Sequence, residues 1–425
     1  MTSRRRPQSG QGEAGHGGAS WWAALAVAGL VGGCNVLLGY DEGRPDPSGS
    51  GGAAAGGSAG TGGSAGSGGS GAGGTGGSGG GGGQADWWNA DWPYRMRISF
   101  DNSTQAETLS NVPVGIRLDG ESFDYDAAQD GGQDLRFVDS DHATVLDHEI
   151  ELWQPGDTST LWVEVPAIDG HSSTDHIWLY YGNPTAPDAQ NRAGVWVDQS
   201  VGVYHLETDL LHNFPDIVGG NTATPQGDAR AAPALLPLFG GAASFDGDGD
   251  SLYVGSVADF AVDAGEVRTV TGWFLSATDK SAYLLHQEGS SKGWTVQLRP
   301  GGDVLGAFYW TDGGTQSRIV DTTGVNYHDD EWHHVAFVID RGDGMARLYV
   351  DGSLADGGAI SKDAAAAGTG GDFANDYSGT QDFHGLLDEW WILDGARSED
   401  WARAQYLNGA PDSFVTYGNA EPGPR

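Results

Sequence analysis

The stretch Glu331–Gly352, EWHHVAFVIDRGDGMARLYVDG, decides the fold class. Two runs rich in β-branched and aromatic residues, 332–339 and 345–350, flank the segment DRGDG, whose Gly and Asp favour a turn. The pattern predicts a β-hairpin, with Asp351-Gly352 opening the next turn. Similar runs recur upstream at 242–245, 251–254, 267–275, 282–287, 294–298, 304–310 and 317–321, and downstream at 383–393. After the last of these, Ser398 is placed to cap a short helix, with Glu399 and Asp400 in its first turn and Gly409 at its end. Six further runs precede this set, at 95–100, 112–118, 134–138, 149–153, 160–165 and 176–181. Turn pairs such as Asp119-Gly120, Pro155-Gly156 and Asp169-Gly170 separate them. Short strands at this spacing, with almost no amphipathic helix, predict an all-β chain of two antiparallel β-sandwiches.

Length and composition agree with that division. The chain has 425 residues, and its stretch 48–83 contains only Gly, Ser, Ala and Thr. Such a tract cannot bury a core, so 34–84 is expected to be a disordered, flexible tether. The remainder divides near 191–199 into a first sandwich over 85–195 and a second over 200–415, each long enough for its own core. The net charge is −37, with 58 acidic against 21 basic residues. A surface of that sign repels phosphate backbones and anionic headgroups, which excludes nucleic acid as a partner. The single cysteine rules out an intrachain disulfide and the common zinc-finger and iron–sulfur spacings.

Two resemblances sharpen the reading. Trp88–Phe100 (WNADWPYRMRISF), Asp134–Val138 (DLRFV), His148–Trp153 (HEIELW), Leu161–Pro166 (LWVEVP) and Ile177–Pro184 (IWLYYGNP) are similar, in order and spacing, to a bacterial envelope domain of unknown function, number 2341. That resemblance implies a β-sandwich and no particular activity. Phe245-Asp246-Gly247, Trp273-Phe274, Trp332–Ala336, Leu348–Gly352 and Gly385–Glu389 resemble the laminin-G-like, concanavalin A-like jelly roll. This second resemblance implies glycan or protein binding, often with a calcium ion, and in some branches glycan cleavage.

The amino terminus reads as an export signal. Arg4–Arg6 supply a basic region, Trp21–Val31 an apolar run too short to span a bilayer, and Gly32 and Gly33 precede Cys34. Residues 1–33 thus resemble a bacterial lipoprotein signal, which implies acylation of Cys34. The competing reading is an ordinary signal peptide in which Cys34 is incidental. With Asn35 next, an outer-membrane or cell-surface address is expected, the lipid being the only membrane attachment.

Candidate chemistry is sparse. Asp246, Asp248 and Asp250 alternate with glycines and offer hard oxygen ligands for calcium, with Asp388 as a possible fourth; an acidic turn explains the same run without an ion. Glu149 and Glu151 share the local spacing of a glycosidase acid pair but lie in the first sandwich. Asp388 and Glu389 are adjacent, so regular alternation sends them to opposite faces of a strand. His328, His333 and His334 match no metalloprotease motif. Trp310 and Tyr377 are candidate sugar-stacking residues. The expected function is therefore non-catalytic: binding of an extracellular glycan or surface protein. The alternatives are a purely structural envelope spacer or a glycan-cleaving enzyme.

Overall fold

A computed structural model describes residues 87–424, apart from 197–199, 234–236, 256, 258–259, 290–291, 310–315, 321–322, 363–369, 375–380 and 411–413. Cys34, Trp310 and Tyr377 lie outside the described residues. The first half of the chain supplies β1 (Tyr94–Phe100), β2 (Leu109–Leu118), β3 (Arg136–Asp139), β4 (Val145–Leu146), β5 (His148–Leu152), β6 (Ser159–Ile168) and β7 (His176–Tyr181). A short helix α1 (Arg192–Trp196) leads to β8 (Ser200–Tyr204), β9 (Thr224–Gln226), β10 (Arg230–Ala231), β11 (Ala243–Asp246) and β12 (Ser251–Gly255). Then come β13 (Val267–Leu275), β14 (Ala282–Gly289), β15 (Lys292–Leu298), β16 (Val304–Tyr309), β17 (Gln316–Val320), β18 (Trp332–Asp340) and β19 (Met345–Val350). The chain closes with β20 (Ser353–Ala359), β21 (Gly370–Phe373), β22 (His384–Asp394), α2 (Glu399–Gly409) and β23 (Val415–Pro422). The all-β, two-sandwich expectation holds, and every strand pairing is antiparallel.

The first sandwich faces the sheet β23-β1-β7-β3-β4 against the sheet β2-β6-β5. The second faces β10-β11-β22-β13-β18-β19-β20 against β17-β16-β15-β14-β21-β12-β9, with β8 also paired to β22. The hairpin of the deciding stretch is β18–β19, in register from Val335↔Val350 to Asp340↔Met345.

Sequence pattern explains how the sandwiches meet. A sheet with one wet face alternates buried and exposed residues, whereas one covered on both faces reads as a continuous apolar run. β18 is buried from His333 to Asp340, and β22 from Leu386 to Leu393. Their inward residues, such as Phe337, Leu387, Trp390 and Ile392, fill the core of the second sandwich. Their outward residues, Ala336, Val338, Trp391 and Leu393, join the core cluster of the first, with Trp162, Trp196 and Phe239. All these residues belong to one compact unit, Ser78–Arg425.

Helix α2 wedges into the same seam. Ser398 caps it as expected, its Oγ accepting from the Trp401 amide at 3.0 Å. Asp400 Oδ2 in the first turn accepts the amides of Ala106 and Glu107 in the first sandwich. Gly409 is the last helical residue, but its role is close approach: a Cβ there would sit 2.1 Å from the Trp273 ring.

The sequence reading omits the short β4, β9, β10 and β21, the strands β8 and β20, and β23. β23 matters most. It pairs with β1 from Tyr94↔Pro422 to Phe100↔Val415, so the end of the chain completes the sheet of the first sandwich. Without it, β1 would present an unpaired edge. Phe414 enters just before it and packs on Phe100 with ring centroids 6.2 Å apart. Phe414→Ala is therefore expected to cost about 3 kcal/mol, and deletion of 411–425 more. Urea unfolding of the full chain and the two variants checks this; an unchanged midpoint in the truncated chain would show that β23 adds nothing to the fold.

Candidate functional site

The most concentrated chemistry lies in the seam, sealed from water. Glu149 and Glu151 project from β5, His205 follows β8, and Asp388 and Glu389 belong to β22; all five are buried. Three indoles hold three of the carboxylates. Trp196 Nε1 donates to Glu149 Oε2, Trp162 Nε1 to Glu151 Oε2, and Trp391 Nε1 to Glu389 Oε2, at 2.8–2.9 Å. The His205 imidazole stacks on Trp162 at 6.0 Å and presents Nδ1 to Glu389 Oε1 and Oε2 at 2.7 and 2.9 Å. Its Nε2 lies 3.4 Å from Glu149 Oε2, and Arg192 pairs with Glu149 Oε1. The backbone of 238–241 completes the enclosure. Leu238 and Phe239 donate their amides to Asp388 Oδ2, and Gly241 donates to Glu151 Oε1.

A bulge makes this convergence possible and overturns the expected alternation. Thr271 opposes Trp391 and Trp273 opposes Asp388, so Glu389 and Trp390 together face Gly272. Glu389 takes φ 50°, and Trp390 turns inward over Gly272, where a Cβ would lie 2.3 Å from its ring. Asp388 and Glu389 consequently leave β22 on the same side.

Burial sets the titration of the cluster. It pushes Glu151 and Asp388 well above the usual carboxylate range, and the negative charge of Glu389 adds to the effect. Burial alone would lower His205, but the charges of Glu389, Glu151 and Glu149 carry it well above its ordinary value. Burial would likewise raise Glu149, yet His205, Arg192 and the Trp196 indole hold it below.

The acidic run of the second sandwich is arranged differently from expectation. Asp246 ends β11, Ser251 begins β12, and Gly247 and Gly249 between them have φ of 80° and 83°. The Asp-Gly alternation is thus a turn, not one face of a strand. Asp250 is fully buried; its Oδ2 accepts from the Asp246 amide and its Oδ1 from the Asp228 amide, both at 2.8 Å. Carboxylate oxygens of Asp228, Asp246 and Asp250 lie within 4.8 Å of one another. Asp248 is exposed and is not one of that group, although its amide donates to Asp246 Oδ1. Asp388 is not brought there either: Asp246 pairs with His384, four residues along β22, and Asp388 is held in the seam. Asp228 is the member of this carboxylate group that sequence reasoning missed, because nothing local links residues 22 positions apart.

The three histidines find separate partners. His333 sits between Asp351 (2.9 Å) and Asp329 (3.0 Å), His334 Nε2 meets Thr271 Oγ1, and His328 Nε2 meets the Arg299 carbonyl. The first sandwich also carries an open groove of about 920 Å³ between the loop at 119–126, the Pro155-Gly156 turn and β23. Asp119, Glu121, Asp124 and Asp126 make it acidic, with Tyr125 and Tyr417 on its wall.

Two buried histidines generate a pH prediction. Burial pulls His334 down to about 4, and burial with the nearby Arg136 charge pulls His148 to about 4. Both stay neutral in the folded protein while the unfolded chain takes up protons below about 6.5. Each therefore removes stability as pH falls from about 6.5 to 4, by about 3 kcal/mol at the lower end. Unfolding free energies measured across this window should fall less steeply for His148→Asn and His334→Gln than for wild type. Parallel curves would mean that these rings take up protons as readily in the folded protein as in the unfolded chain.

Comparison with known proteins gives the following relationships. No curated protein matches the chain. Among solved structures, the binding domain of Paraclostridial Mosquitocidal Protein 1 aligns at 13% identity and TM-score 0.41, covering 49% of this chain and 52% of that one. The Botulinum Neurotoxin serotype G binding domain aligns at 12% and 0.40, covering 49% and 50%. The binding domain of Botulinum Neurotoxin DC, in complex with SialylT, aligns at 11% and 0.39, covering 50% and 52%. The chain thus spans about half the length of these structures. The family models are more direct. Residues 131–214 match the domain of unknown function DUF2341, a span that includes Glu149, Glu151, Arg192 and His205. Residues 237–403, including Asp388 and Glu389, match the concanavalin A-like lectin/glucanases superfamily, so the chain carries a DUF2341 domain followed by a concanavalin A-like domain.

Proposed function

We propose that this protein is a non-catalytic binding module of the cell envelope, anchored by lipid at Cys34 and displaying its two sandwiches to a glycan or protein outside the membrane. One observation carries the choice of lectin over glucanase. Glycoside cleavage needs two carboxylates flanking a bond in an accessible cleft. Glu149 with Glu151, and Asp388 with Glu389, are instead sealed under Trp162, Trp196 and Trp391. These two pairs, the ones that the spacing singled out, serve the seam, which favours binding over cleavage.

The acidic rim fits a calcium role by its chemistry. Asp228, Asp246 and Asp250 offer only oxygen donors, as calcium prefers. Asp382 beside them gives one oxygen to the Gly249 amide and keeps a buried Oδ1 without a hydrogen bond. A calcium ion there would tie the β11–β12 turn to the segment between β9 and β10. Trp310 and Tyr377 remain the proposed aromatic platforms for a sugar.

A glycan array probed with and without calcium tests the binding reading; no ligand in either condition would favour a structural spacer. Calcium is expected to raise the melting temperature, by about 2.7 kcal/mol of stabilisation at a hundredfold excess over Kd. Magnesium should do less, and Asp246→Ala with Asp250→Ala should abolish the difference. Sodium chloride at matched ionic strength is the control, since screening alone stabilises an acidic surface. If salt reproduces the whole effect, the run is only a turn.

A further inference from the structure

We propose that the seam between the sandwiches is a closed site for one divalent transition-metal ion, zinc foremost, held by His205, Glu151 and Glu389. One ligand atom from each of these residues lies within 4.8 Å of the others, and all three residues are buried. The site is separate from the rim of Asp228, Asp246 and Asp250 and independent of the calcium reading. The two differ in donor chemistry. An imidazole nitrogen with carboxylate oxygens suits zinc or manganese, whereas the all-oxygen rim suits calcium.

Asp388 gives a second, independent indication. It is fully buried; the loop at 238–241 sets it beside Glu151 by donating to both, and Asp388 Oδ1 takes no hydrogen bond. A buried carboxylate oxygen without a donor is costly, and a cation is one way to satisfy it.

The two carboxylate ligands are held in place, and His205 would join them by giving up the proton it offers to a carboxylate. Gly241 and Trp162 fix the two oxygens of Glu151, and Trp391 fixes Glu389. A carboxylate has about four lone-pair sites, so these contacts orient the ligands and leave acceptor capacity for a metal. The ligands come from β5, from the segment after β8 and from β22, so the ion would staple the two sandwiches. Sealed as it is, the site would be loaded as the chain folds.

The test uses the full chain, purified without chelator, and also unfolded in EDTA and refolded with zinc chloride, manganese chloride, calcium chloride or EDTA alone. Elemental analysis is expected to find one zinc per chain in the wild type and in the Asp246→Ala, Asp250→Ala variant, and none in His205→Ala. Protein refolded with zinc should melt at a higher temperature than protein refolded in EDTA. Zinc retained by His205→Ala would overturn the proposal by placing the ion elsewhere. Should His205→Ala not fold, the wild type decides: equal melting temperatures with no zinc retained would also overturn it.

Discussion

A carboxylate removed from water must be answered by a donor, a proton or a cation, and four of them meet in the seam of this molecule. That requirement organises the elements around it. Three tryptophans from three different elements turn their indole N–H groups toward it. The loop at 238–241 spends its amides there instead of in a strand. The bulge in β22 breaks a ladder so that Glu389 can reach His205. An apolar seam of the same size would hold the sandwiches together without any of these devices. The polar one ties them in a single register, because sliding either sheet by one residue would strand a charge.

Much of the fold is legible from local pattern. The strands of the deciding hairpin, the six runs of the first sandwich and the Ser398 cap fall within a residue or a few of their expected bounds. This works because alternation, turn residues and caps are properties of neighbours in sequence. The continuous apolar runs HHVAFVID and LLDEWWIL carried one further message, that both faces of their sheet are covered. β23 was harder to see. Its sequence, VTYGNAEP, is mostly exposed and becomes a strand only because β1 offers it an edge.

The chemistry was less legible, for reasons that can be named. Glu149 and Glu151 were visible as a pair, and Asp388 and Glu389 as neighbours, but regular pleating separates adjacent residues and no sequence signal marks the bulge. His205 had no motif around it; its meaning comes from Glu389, 184 positions away. In the acidic run, glycines in the left-handed region convert a strand-like alternation into a turn, and the third carboxylate arrives from Asp228. The Trp310 and Tyr377 assignments, like Cys34, lie outside the described residues and rest on the sequence reading.

The pairing of β1 with β23 also fixes an order of events during synthesis. Arg95 meets Glu421 across 326 positions, so one edge of β1 has no partner until the final strand has left the ribosome. The second sandwich, whose strands β8 to β22 all lie between, can assemble while that edge is still waiting. Contacts so distant along the chain are the slowest to form. The sandwich that is translated first is therefore the one finished last, and the second is threaded into it as an insertion between β7 and β23. A nascent chain exposes an open β1 edge throughout that interval, which makes it the segment most in need of protection from pairing with a neighbouring chain.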